Sequence, residues 1–180
     1  MPGSNPHSTG GDFSMQAQSG PVSLKDFRGK VVLIYFGYTM CPDICPTNLA
    51  MMSNAFMQLE ETPEGKQILA NVQGIFISVD PQRDTLKRLA EYVGYFHPSL
   101  IGLTSTPEAI KEVADRYGAA YQKVIQDDSA TNYVVDHSSE TYVVDPQGKL
   151  VERLPHAAPP EQILAAIRKY SSQTTVQSEK

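Results

Sequence analysis

The apolar segment KVVLIYFGY, at residues 30–38, constrains the fold of this chain more than any other part of the sequence. After its first residue it consists of β-branched, aliphatic and aromatic residues with one glycine, so a strand built from it is apolar on both faces. Such a strand is typical of the middle of a sheet that is covered on both sides. The segment QGIFISVD, at residues 73–80, has the same character and predicts a second central strand.

Segments with helical spacing of apolar residues alternate with these strands. Helices are predicted in four ranges, which are 45–61, 85–96, 107–118 and 159–170. A short strand is predicted at residues 100–104 and a hairpin at residues 140–154 with its turn at 145–148. This order predicts an α/β, thioredoxin-like, three-layer fold with a central mixed sheet. We also expect an extra N-terminal hairpin and an insertion around residues 119–132.

Length and composition predict one domain with a short tail at each end. Residues 1–12 are rich in glycine, serine and proline and are expected to be a disordered tail or tag remnant. Residues 13–172 form the predicted domain, and residues 173–180 a disordered C-terminal tail. The longest apolar run is far shorter than the roughly 20 residues of a membrane-spanning helix. The formal net charge of -5 argues against nucleic acid as a partner.

The chain has two cysteines, Cys41 and Cys45, placed between the first central strand and the first helix. A structural disulfide, a redox pair and a metal clamp are the three alternatives. Two cysteines are too few for a disulfide scaffold, and a domain of this size needs no staple. Because Pro46 suits the first helical position, Cys45 is expected at or next to the helix N-cap, where the helix dipole lowers a thiol pKa.

Three residues separate the two cysteines, whereas a thioredoxin-type redox motif has two. A disulfide across this spacing remains possible. The wider loop also leaves room for an ion between the sulfurs, and two thiolates select soft ions such as Cu(I) or Zn(II). Spacing alone does not decide between these alternatives.

A third metal ligand would have to come from elsewhere, and histidine is the expected type. His7 lies in the predicted tail, His97 ends a predicted helix, and His156 follows the last strand and is expected at the surface. His137, next to Asp136, precedes the hairpin and is expected to face the cysteines. From the residues alone, His137 is either a ligand or a plain loop histidine.

The sequence ISVDPQRDT, at residues 77–85, follows the second central strand. Asp80 should therefore lie at the same sheet edge as the cysteines. We expect Arg83 and Asp84 to pair with each other or to cap the next helix, with capping favoured for Asp84. Met40 abuts Cys41 and is a candidate extra ligand, whereas packing is expected for the other nearby methionines, Met51, Met52 and Met57.

Five sequence pieces together resemble one family. They are DFRGKVVLIYFGYTMCPDICP, ISVDPQRDT, LAEY, IGLTST and VDHSSETYVVDPQGKL, within residues 11–170. The combination of C-P-D-x-C-P with V-D-P-x-R-D-T and D-H-S is far more specific than a two-cysteine motif. The chain resembles the Sco/SenC family of copper-binding thioredoxin-like proteins.

The resemblance implies that Cys41, Cys45 and His137 bind one copper ion, as Cu(I) or Cu(II). It implies a copper chaperone that delivers the ion to the dinuclear copper centre of cytochrome c oxidase subunit II. The alternative is a thiol-disulfide oxidoreductase in which Cys41 and Cys45 act on cysteines of that subunit or of another partner. Asp43 and Asp136 are neighbours of the ligands and are expected either to support them or to be solvated carboxylates or turn caps. For Asp80 a supporting role and a docking role are both open.

The resemblance also implies partners and a location. The expected partners are subunit II or another copper-accepting protein, together with other periplasmic copper chaperones or thiol reductants. Family members are usually held by an N-terminal transmembrane anchor, and no such segment is expected within residues 1–180. The expected location is the periplasmic face of a bacterial inner membrane, and the alternative is the mitochondrial intermembrane space.

Overall fold

The computed structural model describes residues 8–41, 44–125 and 133–172, without the side chains of Ile44, Tyr133, Val134 and Asp136. The strands are β1 (Ser14–Ala17), β2 (Gly20–Ser23), β3 (Val31–Gly37), β4 (Val72–Ser78), β5 (Leu100–Leu103), β6 (Tyr121–Ile125), β7 (Tyr133–His137), β8 (Thr141–Val144) and β9 (Leu150–Leu154). The helices are α1 (Ile44–Glu60), α2 (Pro63–Leu69), α3 (Leu86–Phe96), α4 (Pro107–Tyr117) and α5 (Pro160–Ser171), and a 3-10 turn lies at Leu24–Phe27.

The core is a five-stranded sheet in the order β5-β4-β3-β8-β9. Strand β3 pairs parallel with β4 and antiparallel with β8, so the sheet is mixed, as predicted. All seven residues of β3 are buried, which confirms the strand inferred from its two apolar faces. Its carboxyl end, at Gly37, lies beside the carboxyl end of β4, at Ser78, so the segments that follow both strands emerge at one sheet edge.

The predicted helices are confirmed with small shifts of their ends. Helix α4 stops at Gly118, whose φ of 76° is left-handed, as its position after the apolar pattern predicts. Helix α2 was not predicted, because its seven residues, PEGKQIL, are too few and too polar to show helical periodicity. It begins with a capping bond, in which the Gly65 N–H donates to Thr62 Oγ1.

Two small antiparallel pairs flank the sheet. The predicted N-terminal hairpin is formed by β1 and β2, and Gln16 of β1 exchanges two backbone hydrogen bonds with Thr104. Strands β6 and β7 form a two-stranded ribbon, called here the histidine ribbon, which carries the predicted insertion. Residues 126–132 of that insertion lie outside the described residues. The ribbon pairs Tyr121 with His137 at its base.

The N-terminal segment before β1 runs along the end of α4. The Gly10 N–H donates to the Arg116 carbonyl at 2.8 Å, and the Tyr117 hydroxyl donates to the Gly11 carbonyl at 2.9 Å. These contacts hold residues that precede the domain start predicted at Phe13. Among the described residues, no helix combines the length and the hydropathy required to cross a bilayer.

Candidate metal centre

Cys41 lies on the segment that joins β3 to α1, called here the cysteine loop (residues 38–43), and Cys45 follows in the first turn of α1. Pro42 and Asp43 of this loop lie outside the described residues. Cys41 is 7% exposed, and Cys45, the second residue of α1, is fully buried. Gly37 makes room for Cys45, because a Cβ at position 37 would lie 2.5 Å from the Cys45 sulfur.

His137 is the last residue of the histidine ribbon, and its side chain is 3% exposed. Its Nε2 lies 3.3 Å from Cys45 Sγ and 3.8 Å from Cys41 Sγ. The two sulfurs and an imidazole nitrogen all lie within 4.8 Å of one another. The structure thus brings together the three predicted ligands, one from the cysteine loop, one from α1 and one from the ribbon.

The backbone fixes which imidazole nitrogen faces the sulfurs. Nδ1 of His137 lies 2.9 Å from the Ser138 carbonyl oxygen. A carbonyl can only accept, so Nδ1 carries the proton and Nε2 presents its lone pair to the cysteines. Ser138 is itself held at the base of the ribbon, where its N–H donates to the Ala120 carbonyl at 2.7 Å and its hydroxyl accepts from the Ala120 N–H at 2.6 Å.

Two tyrosine rings enclose the imidazole. Tyr35 and Tyr38 contact His137 edge-on, with ring centroids 5.9 and 5.8 Å away and interplanar angles of 79° and 89°. Both tyrosines are buried. The guanidinium carbon of Arg83 lies 5.7 Å from the Tyr38 ring centroid. The imidazole therefore has little rotational freedom, and the site is largely shielded from water.

Burial raises the pKa of the Cys45 thiol well above its ordinary value, and the neighbouring Cys41 thiol adds to this shift. The prediction that the helix terminus makes Cys45 acidic is therefore wrong for the metal-free protein. The dipole acts locally, but the complete burial of Cys45 removes the water that would solvate a thiolate. Without a metal the thiol keeps its proton, and an ion that binds here must displace it.

Asp80 and Arg83 form a pair beside the site. The Arg83 Nε lies 2.5 Å from Asp80 Oδ2, and Asp80 is 4% exposed. Arg83 thus pairs with Asp80, whereas the sequence had offered Asp84 as one alternative. Asp80 lies at the expected sheet edge. It pairs with Arg83, Arg83 lies over the Tyr38 ring, and that ring contacts the imidazole of His137.

Asp84 is not the cap of α3, which corrects a second prediction. Thr85 caps this helix, since its Oγ1 accepts from the Arg88 N–H at 3.2 Å. The Asp84 side chain turns inward and is 1% exposed. It accepts from the Thr39 N–H and hydroxyl and from the Ser78 hydroxyl, because a buried carboxylate needs donors on both oxygens.

Two acidic residues and four methionines complete the set of residues predicted around the ligands. Asp43 and the Asp136 side chain are outside the described part of the chain, so their supporting roles stay predictions. Met40 is 49% exposed beside Cys41, whereas Met52 lies in the core. Met57 is 46% exposed, and Met51 packs partly buried against the core.

The two other described histidines, His97 and His156, are separate from the cluster. His97 is the C-cap of α3 and is 3% exposed, and its Nδ1 accepts from the Ser99 N–H at 3.0 Å. His156 is exposed, and His7 lies outside the described residues.

Sequence reasoning missed the residues that shape the site around its ligands. Tyr35 and Gly37 contact the imidazole and the Cys45 sulfur, respectively. Residues two apart on a strand face the same side, so the positions 35 and 37 could have been assigned to one and the same face of β3. The Asp84–Thr39 contact had no such signal, because the two residues are 45 positions apart.

Comparison with known proteins finds the same family over nearly the whole chain. The SCO1/SenC family model matches residues 2–172. A SCO2-like protein of Rickettsia conorii is 39% identical over 160 residues, which are 88% of this chain and 75% of that protein. The mitochondrial SCO2 homolog of Bos taurus is 42% identical over 161 residues, which are 89% of this chain and 59% of that protein.

Solved structures give the same result. The copper-bound structure of Arabidopsis thaliana ScoI is 38% identical, with a TM-score of 0.79, covering 91% of this chain and 98% of that one. BsSco, described as a Sco family cytochrome c oxidase assembly protein with a disulfide switch, is 25% identical, with a TM-score of 0.68 and coverage of 94% and 97%. By its sequence, its fold and its cysteine–histidine cluster, the chain belongs to the SCO1/SenC family.

Proposed function

We propose that this protein is a copper metallochaperone that holds one copper ion, as Cu(I) or Cu(II), with Cys41, Cys45 and His137. The observation that carries the proposal is the placement of His137 Nε2 at 3.3 and 3.8 Å from the two sulfurs. Two sulfurs and an imidazole are a donor set suited to copper. A related protein of the family has been solved with copper bound, which supports the same cargo here.

The donor set suits transfer of the ion as well as binding. Two thiolates and a neutral imidazole give a Cu(I) site a net charge of −1 and three ligands, a number that a d10 ion tolerates. Cys41 is slightly exposed, whereas Cys45 is fully buried, so a partner reaches the ion from the cysteine-loop side. A partner's cysteine or histidine could replace one ligand there, and the copper would never be free in solution.

We propose delivery to the dinuclear copper centre of cytochrome c oxidase subunit II. The description of BsSco as a cytochrome c oxidase assembly protein supports this target. Relatives in a bacterium and in mitochondria support two locations, which are the periplasmic face of a bacterial inner membrane and the mitochondrial intermembrane space. We propose the periplasmic face, with attachment through an N-terminal anchor.

The geometry favours the metal site over the oxidoreductase alternative. A thiol that attacks a partner's disulfide needs exposure and a thiolate that forms near neutral pH. Cys45 is fully buried, and burial raises its pKa. An imidazole beside two sulfurs completes a metal site, whereas the chemistry of a dithiol does not require it.

Copper titration of the reduced protein tests the proposal. The unmodified protein should take up one equivalent of Cu(II) with a thiolate-to-copper charge-transfer band. His137→Ala should lose that band and weaken Cu(II) binding by orders of magnitude, and it should still form a Cys41–Cys45 disulfide. His156→Ala, which removes an exposed imidazole, is the matched control and should bind like the unmodified protein.

Two results would contradict the proposal. One is unchanged affinity of His137→Ala for copper in both oxidation states. The other is retention of a full copper equivalent by Cys41→Ser or Cys45→Ser. A protein that holds no copper tightly but oxidises readily and reduces a partner's disulfide would be an oxidoreductase.

A further inference from the structure

The turn between β4 and α3, called here the anchoring turn (residues 79–85), contacts the cysteine loop at two consecutive residues. Arg83 lies over the ring of Tyr38, at 5.7 Å from its centroid. The next residue, Asp84, bonds to Thr39, which is the next residue of the loop. These paired contacts hold the part of the loop that leads directly to Cys41.

Asp84 is the centre of this arrangement. Its Oδ2 accepts from the Thr39 N–H at 3.0 Å and from the Ser78 hydroxyl at 2.6 Å. Its Oδ1 accepts from the Thr39 hydroxyl at 2.5 Å and lies 4.0 Å from the Arg88 Nε. Both carboxylate oxygens are therefore engaged, and the side chain is buried although the residue is charged.

The network continues on both sides of the carboxylate. The Arg88 Nε donates to Thr39 Oγ1 at 2.9 Å, so that hydroxyl both donates and accepts. The Ser78 hydroxyl accepts from the Asp80 N–H at 3.1 Å. The end of β4, the anchoring turn and the first turn of α3 thus form one hydrogen-bonded frame that meets the loop at Thr39.

This frame acts on Cys41 through a short path. Thr39 is two residues before Cys41, and the Cys41 N–H donates to the Tyr38 carbonyl at 3.2 Å in a tight turn. Cys45 is held separately, by α1 and by its burial against Gly37. The two sulfurs therefore depend on different supports, and the side-chain hydrogen bonds at Thr39 contribute to the support of Cys41.

We propose that Asp84 is a positioning residue, which fixes the cysteine loop through Thr39 and so holds the Cys41 sulfur in place for copper. The inference rests on the proposed function and deepens it, since Asp84 touches neither the ligands nor the ion. Breaking the Asp84–Thr39 bonds would free the Cys41 end of the site while His137 and Cys45 stay in position.

Three substitutions test this directly. Asp84→Asn keeps the shape but exchanges one acceptor oxygen for an N–H donor. Thr39→Val keeps the shape and removes only the hydroxyl bonds, so it tests the contact even if Asp84→Asn folds poorly. Thr39→Ser retains the hydroxyl and should behave like the unmodified protein. Thr62→Ala, which removes the cap of α2 far from the cysteines, controls for general loss of stability.

Two readouts follow the position of Cys41. The first is the rate at which Cu(I)-loaded protein loses copper to excess bicinchoninate, with the Cu(II) charge-transfer band recorded alongside. The second is the rate of Cys41 alkylation by iodoacetamide in metal-free protein, relative to Cys45, by peptide mass spectrometry. Asp84→Asn and Thr39→Val should each raise both rates about tenfold, as expected for lost bonds to a buried charge. Thr39→Ser and Thr62→Ala should stay within about twofold of the unmodified protein.

The two readouts separate this inference from the proposed function. If the unmodified protein holds no copper, the proposed function fails, and the alkylation rates alone decide the role of Asp84. If the unmodified protein holds copper and neither substitution changes the release rate, the band or the alkylation, the positioning role is overturned. An equal effect of Thr62→Ala would also overturn it, since the changes would then reflect stability alone.

Discussion

Gly37→Ala is expected to damage the site more than its small size suggests. A Cβ at this position would lie 2.5 Å from Cys45 Sγ and 2.8 Å from Cε2 of Phe76. Ordinary van der Waals contacts begin at 3.4 Å, so the sulfur would have to move by about 0.9 Å. Cys45 and Phe76 are both fully buried, and the larger adjustment falls on Cys45 because its sulfur is the nearer of the two.

The size of the effect follows from this displacement. Inserting a methyl group into a packed core typically costs about 1–3 kcal/mol, which for a domain of this length lowers the melting temperature by about 2–12 °C. Functional groups must be held within about 0.5 Å of their working geometry, and the displaced sulfur exceeds that limit. We expect loss of Cu(I) to a chelator to become at least about tenfold faster.

The assay combines calorimetry of the metal-free protein with the chelator release rate. Gly94→Ala is the matched control, because Gly94 lies inside α3 and a Cβ there would meet nothing within 4 Å. It should leave copper release unchanged and stabilise the fold by about 0.5–1 kcal/mol. A Gly37→Ala protein with unchanged stability, release rate and charge-transfer band would refute the packing argument.

Three further outcomes are expected. Because burial raises the pKa of Cys45, copper must displace its proton. The apparent affinity for copper, measured by chelator competition, should therefore rise about tenfold per pH unit for each displaced proton between about pH 6 and 8. For the same reason the metal-free protein should lose stability as the pH rises above about 8.5, the pKa of a thiol in the unfolded chain. Cys45→Ser should remove this loss, and thermal melts that show no such difference would contradict the reasoning. The buried Asn48 donates to Thr141 Oγ1 at 3.1 Å and accepts from the Ala157 N–H at 2.7 Å. Asn48→Ala should therefore lower the free energy of unfolding in urea by about 1–3 kcal/mol, and an unchanged midpoint would count against those bonds.

The parts of the fold that could be predicted from the sequence are those with strong local patterns. Strands β3 and β4 are continuous apolar runs, and the four long helices have apolar spacing, so both kinds of element were found. Helix α2 and the histidine ribbon were missed as elements, because one is short and polar and β6 is largely exposed. Their formation depends on partners distant in the sequence.

The candidate ligands were predictable for a different reason. The types and spacing of Cys41 and Cys45 fit a disulfide, a redox pair or a soft metal, and the family resemblance favours the metal and singles out His137 among the histidines. The acidity of Cys45 was predicted wrongly, because the helix dipole can be inferred from sequence but complete burial cannot. The role of Asp84 was also misjudged, since a helix cap and an inward carboxylate look alike in sequence.

The separation of the imidazole from the main sheet has a kinetic consequence. His137 lies at the base of the two-stranded histidine ribbon. Cys41 follows strand β3 and Cys45 lies in the first turn of α1, and both of these elements belong to the packed core. Two-stranded pairs have little stability of their own, so the ribbon can open without global unfolding. In the proposed copper-loaded protein, the Ser138–Ala120 bonds at the ribbon base would therefore limit how often the imidazole moves away from the ion. Opening of the ribbon in that protein would take the imidazole off the ion while both sulfurs stay on it.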